Sequence, residues 1–368
     1  MTRLRSLCAV LVLCPILGCG GATPRAEGPD ELVSTERPSD PVEMLPSDTF
    51  AVLRVDVAQI RRSPYYGTIS EWLAQVGEMA NQDADSDNDD FERLVQILDR
   101  TDVAFVGTVP GPSEDADPDI LVVMRGTYRE GELERFVRGQ ETFQGHRQTV
   151  RTEVRGERQV LVGEETSATA IDDHTWLIAT GRRLDEMIAR AEGRGGATPR
   201  SSDTFRAMAE RVGFDRSALA LVAEATPWLK RALAEDASAT EAAFVNALVS
   251  FGARLTLSDG LDGLAIAETT SELVATAIVE EAESGLRDLS GQMMVAAVGL
   301  GAILENTRVR VEGPSAVLKL RADDATTRAF LARIGGFLTL ALQAAAAMGG
   351  EGGYGGDAPP TDAAPPPS

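Results

Sequence analysis

Two histidines, His146 and His174, and three cysteines, Cys8, Cys14 and Cys19, are this chain's whole supply of imidazole and thiol. All three cysteines fall in the first nineteen residues, so the rest of the chain has no disulfide, no thiolate nucleophile and no cysteine metal site. His146, in Gln144-Gly145-His146-Arg147, has no partner at motif spacing and reads as a surface loop residue. Asp172-Asp173-His174 is a stronger candidate, because a carboxylate beside an imidazole orients the ring and raises its pKa, as a metal ligand or an acid–base pair requires. It stands just ahead of the apolar run Trp176–Thr180, however, where short acids close turns, and a turn is expected. In the segment 83–90, DADSDNDD, acids alternate as at the start of an EF-hand calcium loop. Counted from Asp83, position six is Asn88 rather than glycine and position twelve is Leu94 rather than glutamate; counted from Asp85, position twelve is Gln96. A solvated acidic loop between two helices is expected instead. There is no G-x-S-x-G elbow, no S-x-x-K, no H-E-x-x-H and no P-loop, and Gly299-Leu300-Gly301 lacks the third glycine of a dinucleotide fingerprint. The chain is therefore expected to be no enzyme, with no cofactor, no metal and no catalytic residue. The enzymatic alternative is a carboxylate-based hydrolase, since 57 acids offer too many pairs to eliminate.

Charge narrows the partners. Thirty-five basic against 57 acidic residues give −22, which opposes any role that neutralises phosphate backbones, so no nucleic acid partner is expected. With 43% hydrophobic and 25% charged residues over 368 positions, most of the chain has the composition of a folded globular protein.

The N-terminus carries an address. Arg3 and Arg5 precede an apolar run, Leu7 to Leu17, that is too short to span a bilayer of roughly 30 Å, which is the pattern of a signal peptide. It ends in Ile16-Leu17-Gly18-Cys19, which resembles the lipobox of bacterial lipoproteins, although Leu17 is bulkier than most residues at its position. The resemblance implies cleavage between Gly18 and Cys19, a diacylglycerol thioether on Cys19 and acylation of the new terminus. Two or more acyl chains anchor durably, whereas one does not. Gly20, in place of an aspartate, favours the outer membrane. Without residues 1–18 the 35 basic residues fall by two to 33 against 57 acidic, or −24. A body so acidic is repelled by anionic lipid heads, and the lipid must supply the membrane affinity.

The stretch Leu45-Pro46-Ser47-Asp48-Thr49, continuing through Val55-Asp56 to Arg62-Ser63-Pro64-Tyr65, is similar to the opening of uncharacterised extracytoplasmic bacterial proteins. That resemblance implies a location and a fold type and carries no activity.

These residues need elements to hold them. Strands are expected at 49–57, 103–109, 120–125, 149–155, 159–162, 176–180, 218–223, 253–257, 261–268, 273–279, 308–312 and 316–321. Helices are expected after the N-cap Ser63, then at 91–98, 130–137, 182–192, 203–212, 227–234, 239–248, 281–304 and 324–348. The apolar stretches Met293–Leu304 and Phe337–Met348 are too short for membrane spans. Hairpins mixed with strand-to-helix units give an α+β fold, expected as two similar halves, each an antiparallel or mixed sheet with helices packed on one side. The expected organisation is signal peptide 1–18, lipidated flexible tether 19–43, first half 44–193, linker 194–202, second half 203–348 and a Gly/Pro-rich disordered tail 349–368. The function that follows is an outer-membrane lipoprotein whose body, in the periplasm or at the cell surface, meets envelope proteins. A periplasmic carrier or binding module for an apolar ligand is the alternative outside catalysis.

Overall fold

The computed structural model describes residues 38–72, 89–113, 116–139, 150–235, 237–290, 292 and 299–333. β1 (Ala51–Val55) buries Val52 and Arg54 and leaves their neighbours half-buried, the alternation of a strand covered differently on its two faces. It is paired on both sides. β2 (Thr101–Val109) lies antiparallel along one side with Leu53 opposite Val106, and β8 (Leu219–Glu224) lies antiparallel along the other with Leu53 opposite Leu221.

Outward from β2 come β3 (Asp119–Gly126), β7 (Thr175–Thr180), β6 (Thr166–Ala170), β5 (Arg158–Val162) and β4 (Arg151–Arg155). Outward from β8 come β9 (Leu248–Leu257), β10 (Gly260–Thr269), β12 (Ser315–Asp323) and β11 (Arg308–Glu312). The described strands thus form one twelve-stranded antiparallel sheet, and the fold is α+β. Two separate sheets were expected. The sheet instead runs unbroken from one half into the other through β1 and β8.

Helices cover both faces, not one. On the face carrying Val52, Phe105, Val123, Leu177 and Val222 lie α4 (Leu184–Ala191) and α5 (Asp203–Val212). Alternate residues of the same strands, Met124 and Trp176, point the other way and pack with Leu133 and Val137 of α3 (Glu132–Gly139) and Ile97 of α2 (Asp89–Arg100). In the second half that opposite face packs Leu257, Leu261 and Ala322 with Ile303 of α9 (Gly301–Glu305), Tyr65 and Leu331.

α5 shows why such a helix forms where it does. Ser202 caps its first turn by accepting from Phe205 N at 3.3 Å, and Gly213 ends it in the left-handed region at φ 67°. Its buried residues, Phe205, Met208, Ala209 and Val212, follow the i, i+3, i+4, i+7 stripe. It meets β9 at Gly252, where a Cβ would stand 2.7 Å from Met208 Cγ and Sδ and from Val212 Cγ1.

Several local expectations are corrected. Val57 leaves the strand and begins α1 (Val57–Arg62), because the Asp56 carboxylate accepts from Gln59 N at 2.7 Å; Ser63 is that helix's C-cap rather than the N-cap of the next. Leu273–Val279 is not a strand but the first part of α8 (Glu272–Ser290), which buries Ala275 and Val279 one turn apart. β6 was not anticipated. The expected linker 194–202 is tied to the body: Arg190 Nη1 donates to Ala197 O at 2.6 Å, and Thr198 and Ser201 form a capping box around the buried Pro199. The stretch Phe337–Met348, the tail 349–368 and most of the acidic loop 83–90 lie outside the described residues.

Gly252→Leu should force α5 off the sheet and lower stability by about 1–3 kcal/mol, read as a shifted urea midpoint. An unchanged midpoint would mean that the helix is not seated there.

Candidate functional site: an arginine-lined cleft at the end of the central strands

Arg54 sits near the C-terminal end of β1, buried at 9% exposure, on the same face as Phe105 and Val52. Its Nη1 donates to Ser217 O at 2.6 Å, just before β8, and its Nη2 donates to Asp56 Oδ2 at 2.7 Å. Asp56 is also the cap of α1, so one carboxylate holds both the guanidinium and a helix start. A charge this deep is tolerable only when it is paired and hydrogen-bonded, and Arg54 is both.

Arg125, near the end of β3, is opposite Val103 of β2 and shares this face. Its Nη1 donates to Ser39 O and its Nη2 to Pro38 O at 3.1 Å, while its Nε is buried without a partner. Arg200 comes from the 3-10 turn Pro199–Ser201; its Nε is paired with Asp40 and its Nη2 with Asp215 Oδ1 at 2.7 Å. Burial works to lower the Arg200 pKa, but the hydrogen bonds and charges of Asp215 and Asp40 carry it above the ordinary arginine value. The Arg200 guanidinium also lies 6.0 Å from the Phe214 ring centroid, a cation–π contact.

Arg125 and Arg200 therefore fasten the N-terminal segment to the body, while Arg54 ties the end of β1 to the start of β8. Asp40 accepts from Val42 N at 3.0 Å through its other oxygen and caps the 3-10 turn Pro41–Met44, whose Val42 and Met44 are buried, as is Leu45 after it. Between them lies a cleft of ≈ 470 Å³ lined by Ser39, Asp40, Arg54, Arg125, Arg200 and Asp215 among others.

Gly18, Cys19 and His146 lie outside the described residues. Asp172, Asp173 and His174 form the turn between β6 and β7, and that turn is bonded to the end of β3 next to Arg125, where Gly126 N donates to His174 O at 3.0 Å; none of the three lines the cleft. His174 N donates to Asp172 Oδ1 at 3.0 Å, and its ring Nδ1 makes a 2.8 Å hydrogen bond to Gly126 O. That carbonyl, with the nearby Asp173 charge, raises the His174 pKa above its usual value. The ring ties the turn to the end of β3, and the backbone N closes the turn itself. Among the described residues no group of three or more His, Cys, Asp or Glu is arranged to hold a metal, and no helix is long and apolar enough to cross a membrane.

Sequence reasoning did not find the cleft. Its arginines stand at positions 54, 125 and 200, with no spacing that marks a motif; only the sheet brings the first two together.

No family model matches the chain, and no curated protein matches it. Among solved structures it is similar to TP0453 in crystal form III, with 14% identity and a TM-score of 0.45, over 81% of this chain and 99% of that one. Crystal form I of the same protein gives 13% identity and a TM-score of 0.42, over 81% and 98%. Likeness at this level says nothing of a binding or catalytic role.

Asp40→Ala removes both a helix-turn cap and an Arg200 partner. It should cost about 1 kcal/mol of stability and speed thermolysin cleavage before Val42 or Leu45. Cleavage at the wild-type rate would mean that Asp40 does not fasten this segment.

Proposed function

We propose that the protein is an extracytoplasmic lipoprotein, anchored through Cys19 in the outer membrane, whose acidic α+β body acts without catalysis by presenting a surface to envelope proteins. The observation that carries this reading is the N-terminal series Arg3 and Arg5, the apolar run Leu7 to Leu17, and Ile16-Leu17-Gly18-Cys19. The fastening of residues 38–40 by Arg125 and Arg200 supports it, because an anchor upstream of residue 38 would pull on a segment bonded to the sheet rather than on a frayed end.

The body is, on the same proposal, two similar halves. The order of elements supports this. From β1 the chain passes through helices to the hairpin β2–β3, then α3, then further antiparallel strands and α4. From β8 it passes through α6 (Pro227–Ala234) and α7 (Ala239–Ala247) to the hairpin β9–β10, then α8 and α9, then β11–β12 and the helical residues 324–333. The sheet order is mirrored about the β1–β8 pair, with β6 and β7 corresponding to β11 and β12. The hairpin β4–β5, at one edge of the sheet, is the addition peculiar to the first half.

Metabolic labelling with a palmitate analogue tests the anchor. The wild-type chain should take up label and partition into membranes; Cys19→Ser should do neither. Labelled Cys19→Ser would overturn the assignment.

A further inference from the structure

Of the cleft's three arginines, Arg54 is matched by Asp56 and Arg200 by Asp40 and Asp215, which leaves Arg125 as the one without a carboxylate among the described residues. Asp40 and Asp215 are the acids in its lining, and both are spent on Arg200. A neighbouring pocket of ≈ 300 Å³ shares Arg200 and Asp215 and adds Arg206 and Arg216 against Glu210. Beside it, Arg216 Nη2 stands 3.8 Å from the point a Cβ on Gly213 would occupy, and Arg254 Nη1 stands 3.9 Å from that point with its own charge matched by Asp262 at 3.0 Å.

Arg125 is the sharpest case. Among the described residues its hydrogen bonds go to two neutral carbonyls, those of Pro38 and Ser39, no carboxylate pairs with it, and its Nε is buried unpartnered. Arg125 is half-buried, with its Nε shut away from water and no counter-charge beside it, in a chain whose 57 acids to 35 basic residues leave no shortage of counter-charges. The unmatched cation faces a cleft of ≈ 470 Å³ rather than a packed core.

We propose that this cleft is a binding site for a phosphate-type oxyanion, held between Arg125 and Arg200 with Arg54 at its floor. A planar carboxylate matches one guanidinium fork, and the chain's own Asp40 and Asp215 already take that place on Arg200. A tetrahedral oxyanion has oxygens in several directions and suits guanidiniums that approach from different elements, here β1, β3 and the turn at Arg200. Asp215, exposed and 2.7 Å from Arg200 Nη2, is the group such an anion would displace. The same chemistry is offered by free phosphate and by the phosphomonoester of a lipid or glycolipid headgroup.

Calorimetric titration of the full chain with inorganic phosphate and, separately, with glycerol 3-phosphate tests the site. One saturable site is expected. Arg125→Met should weaken it about tenfold, and Asp215→Asn should tighten it several-fold by freeing Arg200, an effect that loss of folding cannot imitate. Tighter binding of glycerol 3-phosphate would point to an esterified headgroup, and tighter binding of inorganic phosphate to the free ion. No saturable heat with either anion, or affinities unchanged in both variants, would overturn the proposal.

Discussion

The antiparallel pairing of β1 with β8 is the constraint on which the rest of this structure depends. It sets Val52 against Val222 and Leu53 against Leu221, residues that belong to different halves of the chain. Without it each half would end in a bare edge strand, with unpaired amides and carbonyls beside apolar side chains, an invitation to aggregation. With it, the Phe105–Phe214 and Phe205–Phe214 contacts, at 6.3 and 5.9 Å between centroids, close a core that no single half contains. The same pairing places the cleft. Arg54 reaches across the end of the seam to Ser217 O, so the seam's last backbone carbonyl is satisfied by the residue that forms the cleft's floor.

Much of the local structure was legible in the sequence. α5 could be read to the residue because Ser202, the stripe 205, 208, 209, 212 and Gly213 all agree. The hairpin β9–β10 could be read from its turn residues Ser258-Asp259-Gly260 between two apolar runs. Leu273–Val279 misled because Leu-Val-Ala-Thr-Ala-Ile-Val is apolar but for Thr276 and rich in branched side chains, so neither period is visible; burial of Ala275 and Val279 decides for the helix. β6, Thr-Ser-Ala-Thr-Ala, gives almost no apolar signal, and is held as a strand by pairing with β7 through five register positions.

The seam and the site were not legible, for one shared reason. β1 and β8 each read as an ordinary buried strand, and nothing local names the partner of either edge. Arg54 and Arg125 fall inside the expected strands 49–57 and 120–125 with nothing local to single them out, and only the sheet shows that they share a face with Phe105 and Val123. A site assembled from non-adjacent elements leaves no spacing behind. The candidates that did have spacing, the acidic run 83–90 and Asp172-Asp173-His174, were local for the same reason that they were visible, and the second of them closes a turn.

Native-state hydrogen exchange at the seam tests this account most directly. If β1 and β8 form the centre of one cooperative unit, their amides exchange only through global unfolding, at the same free energy as those of β3 on one side and β9 on the other. Exchange of β1 and β8 at a distinctly lower free energy, with the two flanking sets of strands opening independently, would contradict it.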